Sequence, residues 1–109
     1  MKIYLSPVRM DEKLIASVDG DTITVNDTVL DFLPLQEGET LPNAAIPNDW
    51  IVGDVHRVAG EIVLTLRLPH GANAPYETRF PTAFETPITV LEGEVPLPPY
   101  DSEVQGGQS

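Results

Sequence analysis

LIASVDGDTITVNDTVLDFL, residues 14–33, decides the fold. Three short runs of alternating apolar and polar residues (14–18, 21–25 and 28–33) are separated by Asp19-Gly20 and by Asn26-Asp27. A two-residue type I′ turn holds both central residues at positive φ, which Gly, Asn and Asp tolerate best. The stretch therefore predicts a three-stranded β-meander. A two-residue turn also fixes the register. The first turn sets Val18 opposite Asp21, Ala16 opposite Ile23 and Leu14 opposite Val25. The second sets Val25 opposite Thr28, Thr24 opposite Val29, Ile23 opposite Leu30 and Asp21 opposite Phe32. Both gather Leu14, Ala16, Val18, Ile23, Val25, Leu30 and Phe32 on one face. Ser17, Thr22, Thr24 and Asp31 take the other, with Ile15 and Val29 as its large apolar members.

Alternation resumes in residues 51–68, which predict a longer hairpin about Ala59-Gly60. Val58 then faces Glu61, His56 faces Val63, Asp54 faces Thr65 and Val52 faces Arg67. Its apolar face is Ile51, Val55, Ile62, Leu64, Leu66 and Leu68. Residues 2–6 read as a first strand, with Ile3 and Leu5 on one face and Pro7 closing it. Residues 33–48 form a connector punctuated by Pro34, Gly38, Pro42 and Pro47, with one helical turn within 41–46 begun by Pro42. Residues 69–81 read as an irregular loop. Residues 87–91 read as a last short strand, continued toward Val95 after a turn at Glu92-Gly93. Pro96-Leu97-Pro98-Pro99-Tyr100 favours an extended polyproline conformation. No stretch carries an apolar stripe of helical period over three turns. The expectation is a mainly β fold: a small antiparallel β-meander and hairpin domain over residues 1–100, a sandwich or partly open barrel with little helix. Residues 101–109 are too polar to pack and read as a disordered acidic C-terminal tail.

The chain of 109 residues suits one domain with a real core. Without cysteine it has no disulfide, thiolate zinc site or cysteine nucleophile. The opening residues lack the apolar run of a signal peptide, and no stretch is long enough for a membrane span, so the expected location is the cytoplasm. Seventeen acids against six Lys plus Arg give a formal charge of -11. Such a field repels phosphate backbones and anionic lipid, which argues against nucleic-acid and membrane partners. Its ordinary use is solubility and suppressed self-association, and its sharper use is attraction of a basic partner or mimicry of a polyanion.

Asp54 and His56, two apart on one strand face, are the nearest approach to a catalytic pair. No nucleophile joins them beyond Thr65 across the hairpin, and Asp54 with Arg67 reads equally as a diagonal ion pair. Asp19, Asp21 and Asp27 at the meander tips could draw a hard cation, but their spacing fails the EF-hand pattern and tight turns use Asp anyway. No phosphate loop, nucleophile elbow or His-Glu-x-x-His stretch occurs. No catalytic, metal or cofactor residue is assigned. His70, at the start of the 69–81 loop, reads as a cap on a backbone carbonyl in a turn where Gly71 and Asn73 take unusual φ, or as part of a binding loop. Trp50 and Phe80 have the ordinary role of core or loop anchors. Tyr76, Phe84 and Tyr100 lie beside prolines, and exposed aromatics there are candidates for a partner surface. The contact set drawn from the sequence is His70, Asn73, Tyr76, Phe84 and Tyr100.

The opening Met1-Lys2-Ile3-Tyr4-Leu5-Ser6-Pro7, the stretch Gly20-Asp21-Thr22-Ile23-Thr24, and above all Leu66-Arg67-Leu68-Pro69-His70-Gly71-Ala72-Asn73-Ala74-Pro75 with Glu77-Thr78-Arg79-Phe80-Pro81 carry a resemblance. They resemble small proteins encoded by tailed bacteriophages and proteobacterial prophages, often near tail or tail-fibre genes. The resemblance spans most of residues 1–100. It implies a genomic setting and no activity, so no residue inherits a role. The expected function is a non-enzymatic tail-module component or assembly accessory acting through protein contacts, in the host cytoplasm or on the virion. The alternative is a small-ligand or carbohydrate binding module built on the 69–81 loop.

Overall fold

In the computed structural model, which describes residues 1–101, nine strands among the described residues pair into two sheets. They are β1 (Lys2–Arg9), β2 (Ala16–Asp19), β3 (Thr22–Val25), β4 (Thr28–Asp31), β5 (Thr40–Leu41), β6 (Val55–Val58), β7 (Glu61–His70), β8 (Ile88–Thr89) and β9 (Glu92–Glu94). One sheet has the order β4-β3-β2-β9 and is antiparallel; the other has the order β5-β6-β7-β1-β8 and is mixed. Neither closes into a barrel, and their inner faces contribute to one apolar core. The expected mainly β architecture with little helix is the one observed. Of the tail expected at 101–109, all but Asp101 lies outside the described residues.

Every residue assigned to the two apolar faces is buried, from Leu14 to Phe32 in the meander and from Ile51 to Leu68 in the hairpin. The registers behind those faces are only partly as expected. The second meander turn is as read: Asn26 and Asp27 both have positive φ, and Val25 pairs with Thr28. The first is displaced by two residues, with Asp19 opposite Thr22 and Val18 opposite Ile23. Gly20 becomes the first central residue (φ +64°), the position that a type II′ turn reserves for glycine. The hairpin pairs Val58 with Glu61 and His56 with Val63, as expected, but its ladder resumes with Ile51 opposite Leu66. Gly53 (φ +72°) and Asp54 leave the ladder between the two registers. Asn43 braces this excursion: its side-chain amide donates to the carbonyls of Ile51 (3.0 Å) and Gly53 (2.9 Å), and its N–H donates to Asp54 Oδ1 (2.9 Å). A slip of two preserves the side-chain alternation, so the buried face survives both displacements.

The connector contains β5, which borders β6, and a single 3₁₀ turn at Asn43–Ala45 after Pro42. The larger departure is β1, which runs parallel to β7, with Ile3 opposite Leu64 and Leu5 opposite Leu66. Pro7 does not close this strand. The Met1 amine and the Val90 N–H each donate to the other residue's carbonyl at 2.9 Å, so Met1 and every second residue after it turn their backbone groups toward β8. Pro7 belongs to that set, but β8 pairs no further than Ile3, and the missing donor falls beyond the end of the ladder. Pro69 is accommodated in the same way on β7. Its set includes Arg67, whose N–H donates to Trp50, and the pairing with that side ends there. The strand expected across 87–95 is divided between the sheets, with β8 beside β1 and β9 beside β2. Gly93 (φ +105°) sits within β9 opposite Val18 rather than in a turn.

Arg57 on β6 joins the two sheets. Its Nη2 lies 3.0 Å from Asp21 Oδ2 and 3.2 Å from the Phe32 carbonyl oxygen, Nη1 donates to Gly60 (3.1 Å), and Nε donates to the carbonyl of Leu35. Asp21, at the tip of the first hairpin, is therefore committed to an arginine rather than free for a cation. The Ala59-Gly60 turn has positive φ at both residues, and the Glu37 carboxylate accepts both their N–H groups, at 2.8 and 2.7 Å. Alanine in this left-handed conformation is strained by roughly 1 kcal/mol, a penalty that asparagine relieves. Ala59→Asn should therefore raise stability by about 0.5 to 1 kcal/mol in urea melts. Unchanged or lowered stability would show that the turn relaxes in solution.

Candidate functional site

Beyond His70 the chain leaves the sheet and makes two single turns, α1 (Tyr76–Arg79) and a 3₁₀ turn at Thr82–Phe84. Each follows a proline, Pro75 or Pro81, whose fixed φ suits entry to a helical turn and whose carbonyl accepts the first backbone bond. Residues 69–81 are thus less irregular than expected. The small residues Ala74, Thr78 and Ala83, with Pro81, face inward and are buried. The large ones face out: Tyr76 is 71% exposed, Phe80 62% and Phe84 61%. A spacing of four places Tyr76 and Phe80 on one side of α1, and their rings meet at 4.9 Å between centroids with a tilt of 33°. Phe80 and Phe84 line a cleft of about 630 Å³ with Arg79, Pro81, Glu85 and Pro7 of β1.

The contact residues drawn from the sequence separate into three groups. Tyr76 and Phe84 belong to this aromatic surface, and Asn73 is exposed on the approach to it. His70 is half-buried at the end of β7, where Nδ1 donates to the Gly71 carbonyl (3.0 Å), the capping role considered for it. Tyr100 is not an exposed contact. Its hydroxyl donates to the Met10 carbonyl, its own carbonyl accepts the Gly71 N–H (2.8 Å), and Lys13 Nζ lies 5.4 Å from its ring centroid. Phe80, assigned to anchoring, is instead on the surface. The signal that could have found it is the spacing Tyr76, Phe80, Phe84.

Gly71 and Asn73 do not take positive φ. Gly71 is constrained by space: a Cβ there would meet the Asp101 carboxylate and approach Tyr100 Cε2 at 3.2 Å. Asp54 and His56 do not form a pair. Asp54 accepts the Asn43 N–H, while His56 Nδ1 shares a hydrogen bond with Thr40 Oγ1 at 2.9 Å. Arg67 forms no ion pair with Asp54 and donates from Nε to the Asp49 carbonyl (2.7 Å).

The antiparallel sheet carries a second cluster of acidic residues, besides Glu77 and Glu85 beside the aromatics. On the outer face of the antiparallel sheet, Asp31, Thr22, Asp19 and Glu92 form one cross-strand row, and Val29, Thr24, Ser17 and Glu94 the next. These four strands contain no lysine or arginine. Like charges on both edge strands, β4 and β9, discourage pairing with another chain. Tyr76, Phe80 and Phe84 are the exposed aromatics among the described residues; the other exposed large apolar side chains, Ile15, Val29, Leu33, Val58 and Leu91, are aliphatic. No protein-family model, curated protein or solved structure matches the chain.

Proposed function

We propose that the protein is a non-enzymatic component of a tailed phage or prophage, a small tail-module part or assembly accessory that binds another protein through Tyr76, Phe80 and Phe84. The observation that carries the contact is the exposure of three aromatic side chains within nine residues, two of them lining one cleft. Aromatics in such a position supply most of the energy at protein interfaces, whereas scattered exposed aliphatics need no explanation. The phage setting rests on the resemblance of residues 66–81 and of the chain's opening. A photo-crosslinking phenylalanine analogue at position 84, introduced into the protein in its native genetic context, tests both parts. The expected product is one discrete adduct with a tail-module protein. An adduct with an unrelated protein would remove the tail assignment, and adducts formed only from a control position at Val29 would move the interface to the meander.

The cleft volume falls within the range of small-molecule sites, which favours ligand binding as the second reading. It takes in the end of the 69–81 loop, at Arg79, Phe80 and Pro81, and continues to Thr86 and to Pro7 of β1. Sugar-induced shifts of the Phe80 and Phe84 ring resonances, without a protein adduct, would decide for it.

A further inference from the structure

We propose that residues 96–101 act as a latch that sets the presentation of Tyr76 and Phe80, with Thr78 as its positioning residue. The inference rests on the aromatic surface being the contact site, but its test is made on the free protein.

A four-residue helix has no stability of its own, because the nucleation penalty is not recovered within one turn. α1 also lacks a side-chain cap, so tertiary contacts must hold it. Its only buried residue is Thr78, which is fully enclosed. The Thr78 hydroxyl donates to the carbonyl of Pro99 at 2.7 Å, across a sequence gap that no local interaction spans. Two further bonds fasten the same segment. Gly71 N–H donates to the Tyr100 carbonyl, and the Tyr100 hydroxyl donates to the Met10 carbonyl. Asp101 then lies over Gly71, in the space a side chain would need. Pro98 and Pro99 suit the task, because a chain already restricted to extended conformations loses little entropy on docking. The segment that reads from the sequence as an extended proline-rich stretch thus holds the contact helix from behind, while the Tyr76 and Phe80 rings face outward.

Thr78→Val keeps the shape and removes the donor. Amide hydrogen exchange is then followed at three sites: Arg79 and Phe80, whose N–H groups bond to Pro75 and Tyr76 within α1; Gly71, whose N–H bonds to Tyr100; and Leu64 and Leu66 in the core. The expected result is exchange faster by tenfold or more at Arg79, Phe80 and Gly71 together, no change at Leu64 and Leu66, and recovery in Thr78→Ser. Coupled loosening at Gly71 is the decisive readout, since its bond does not involve Thr78 and a local defect would leave it protected. Unchanged exchange at Gly71 overturns the latch. So does equal acceleration in the core, which would make the segment part of the global fold. Tyr100→Phe releases the other end of the segment and should loosen the same three amides, which keeps the proposal testable if Thr78→Val fails to fold. Loss of a crosslink at position 84 with the latch intact would fault the contact surface alone.

Discussion

Arg57→Ala should lower the unfolding free energy by about 3 kcal/mol, among the largest effects of any single substitution in this protein. Removing one partner of an enclosed charged pair leaves the other without compensation, and each enclosed carbonyl that loses its donor adds roughly 1 to 3 kcal/mol of desolvation. Three features place Arg57 in that class. Its side chain is only 12% exposed, its partner Asp21 is in the β2–β3 turn of the other sheet, and the Leu35 carbonyl in the connector accepts its Nε. The Phe32 carbonyl keeps a second donor, the Leu35 N–H (3.0 Å). Arg57→Lys should recover less than half of the loss, because one ammonium cannot reach an acid and several carbonyls in different directions. Asp21→Asn should be milder, near 1 kcal/mol, since the backbone acceptors remain. Urea melts of the three variants measure the order directly. A loss below 1 kcal/mol in Arg57→Ala would mean that water replaces the guanidinium at little penalty.

Leu64→Ala should cost about 2 to 5 kcal/mol, the range for a buried leucine whose cavity cannot collapse. Leu64 is 1% exposed on β7, flanked by β6 and β1, and opposite Ile3 across the parallel pair. Its neighbour Thr65 projects from the other side of the sheet and is half-buried, so Thr65→Ala should cost less than 1 kcal/mol. The contrast between adjacent positions is the informative quantity. Equal losses would require a register one residue out, which would exchange the two faces of the whole strand.

The faces of the strands were legible because burial on one side of a sheet leaves a period of two in the sequence. The register was less so. Val18 lies on the inner face whether it meets Asp21 or Ile23, so the pattern alone cannot separate the two, and the turn type at Gly20 decides. The side pairing of β1 and β7 had no local signal at all, since parallel neighbours far apart in sequence share no turn. Pro7 was misread for a related reason: its missing donor matters only on the side where a partner strand continues, and that side is fixed by the fold. In the candidate site, Tyr76 and Phe84 were recognisable from their proline-rich surroundings. Phe80 was not, because its exposure depends on a single helical turn that its own residues do not stabilise. Tyr100 was read as exposed from its proline-rich surroundings, which carry no signal of the bonds from Gly71 and to Met10 that fasten it.

The parallel pairing also orders events in time. The meander is complete once Asp31 has left the ribosome, and its turns close short loops that form quickly. β1 is made before the other eight strands, yet Lys2 pairs with Val63, and Ile3 also pairs with Ile88. Contacts between such distant positions form slowly, because the intervening chain must be confined before they repay its entropy. The earliest strand is therefore enclosed on both sides only after β8 has been made, and the interval in which Ile3 remains bare on that side is set by translation of the sequence between them.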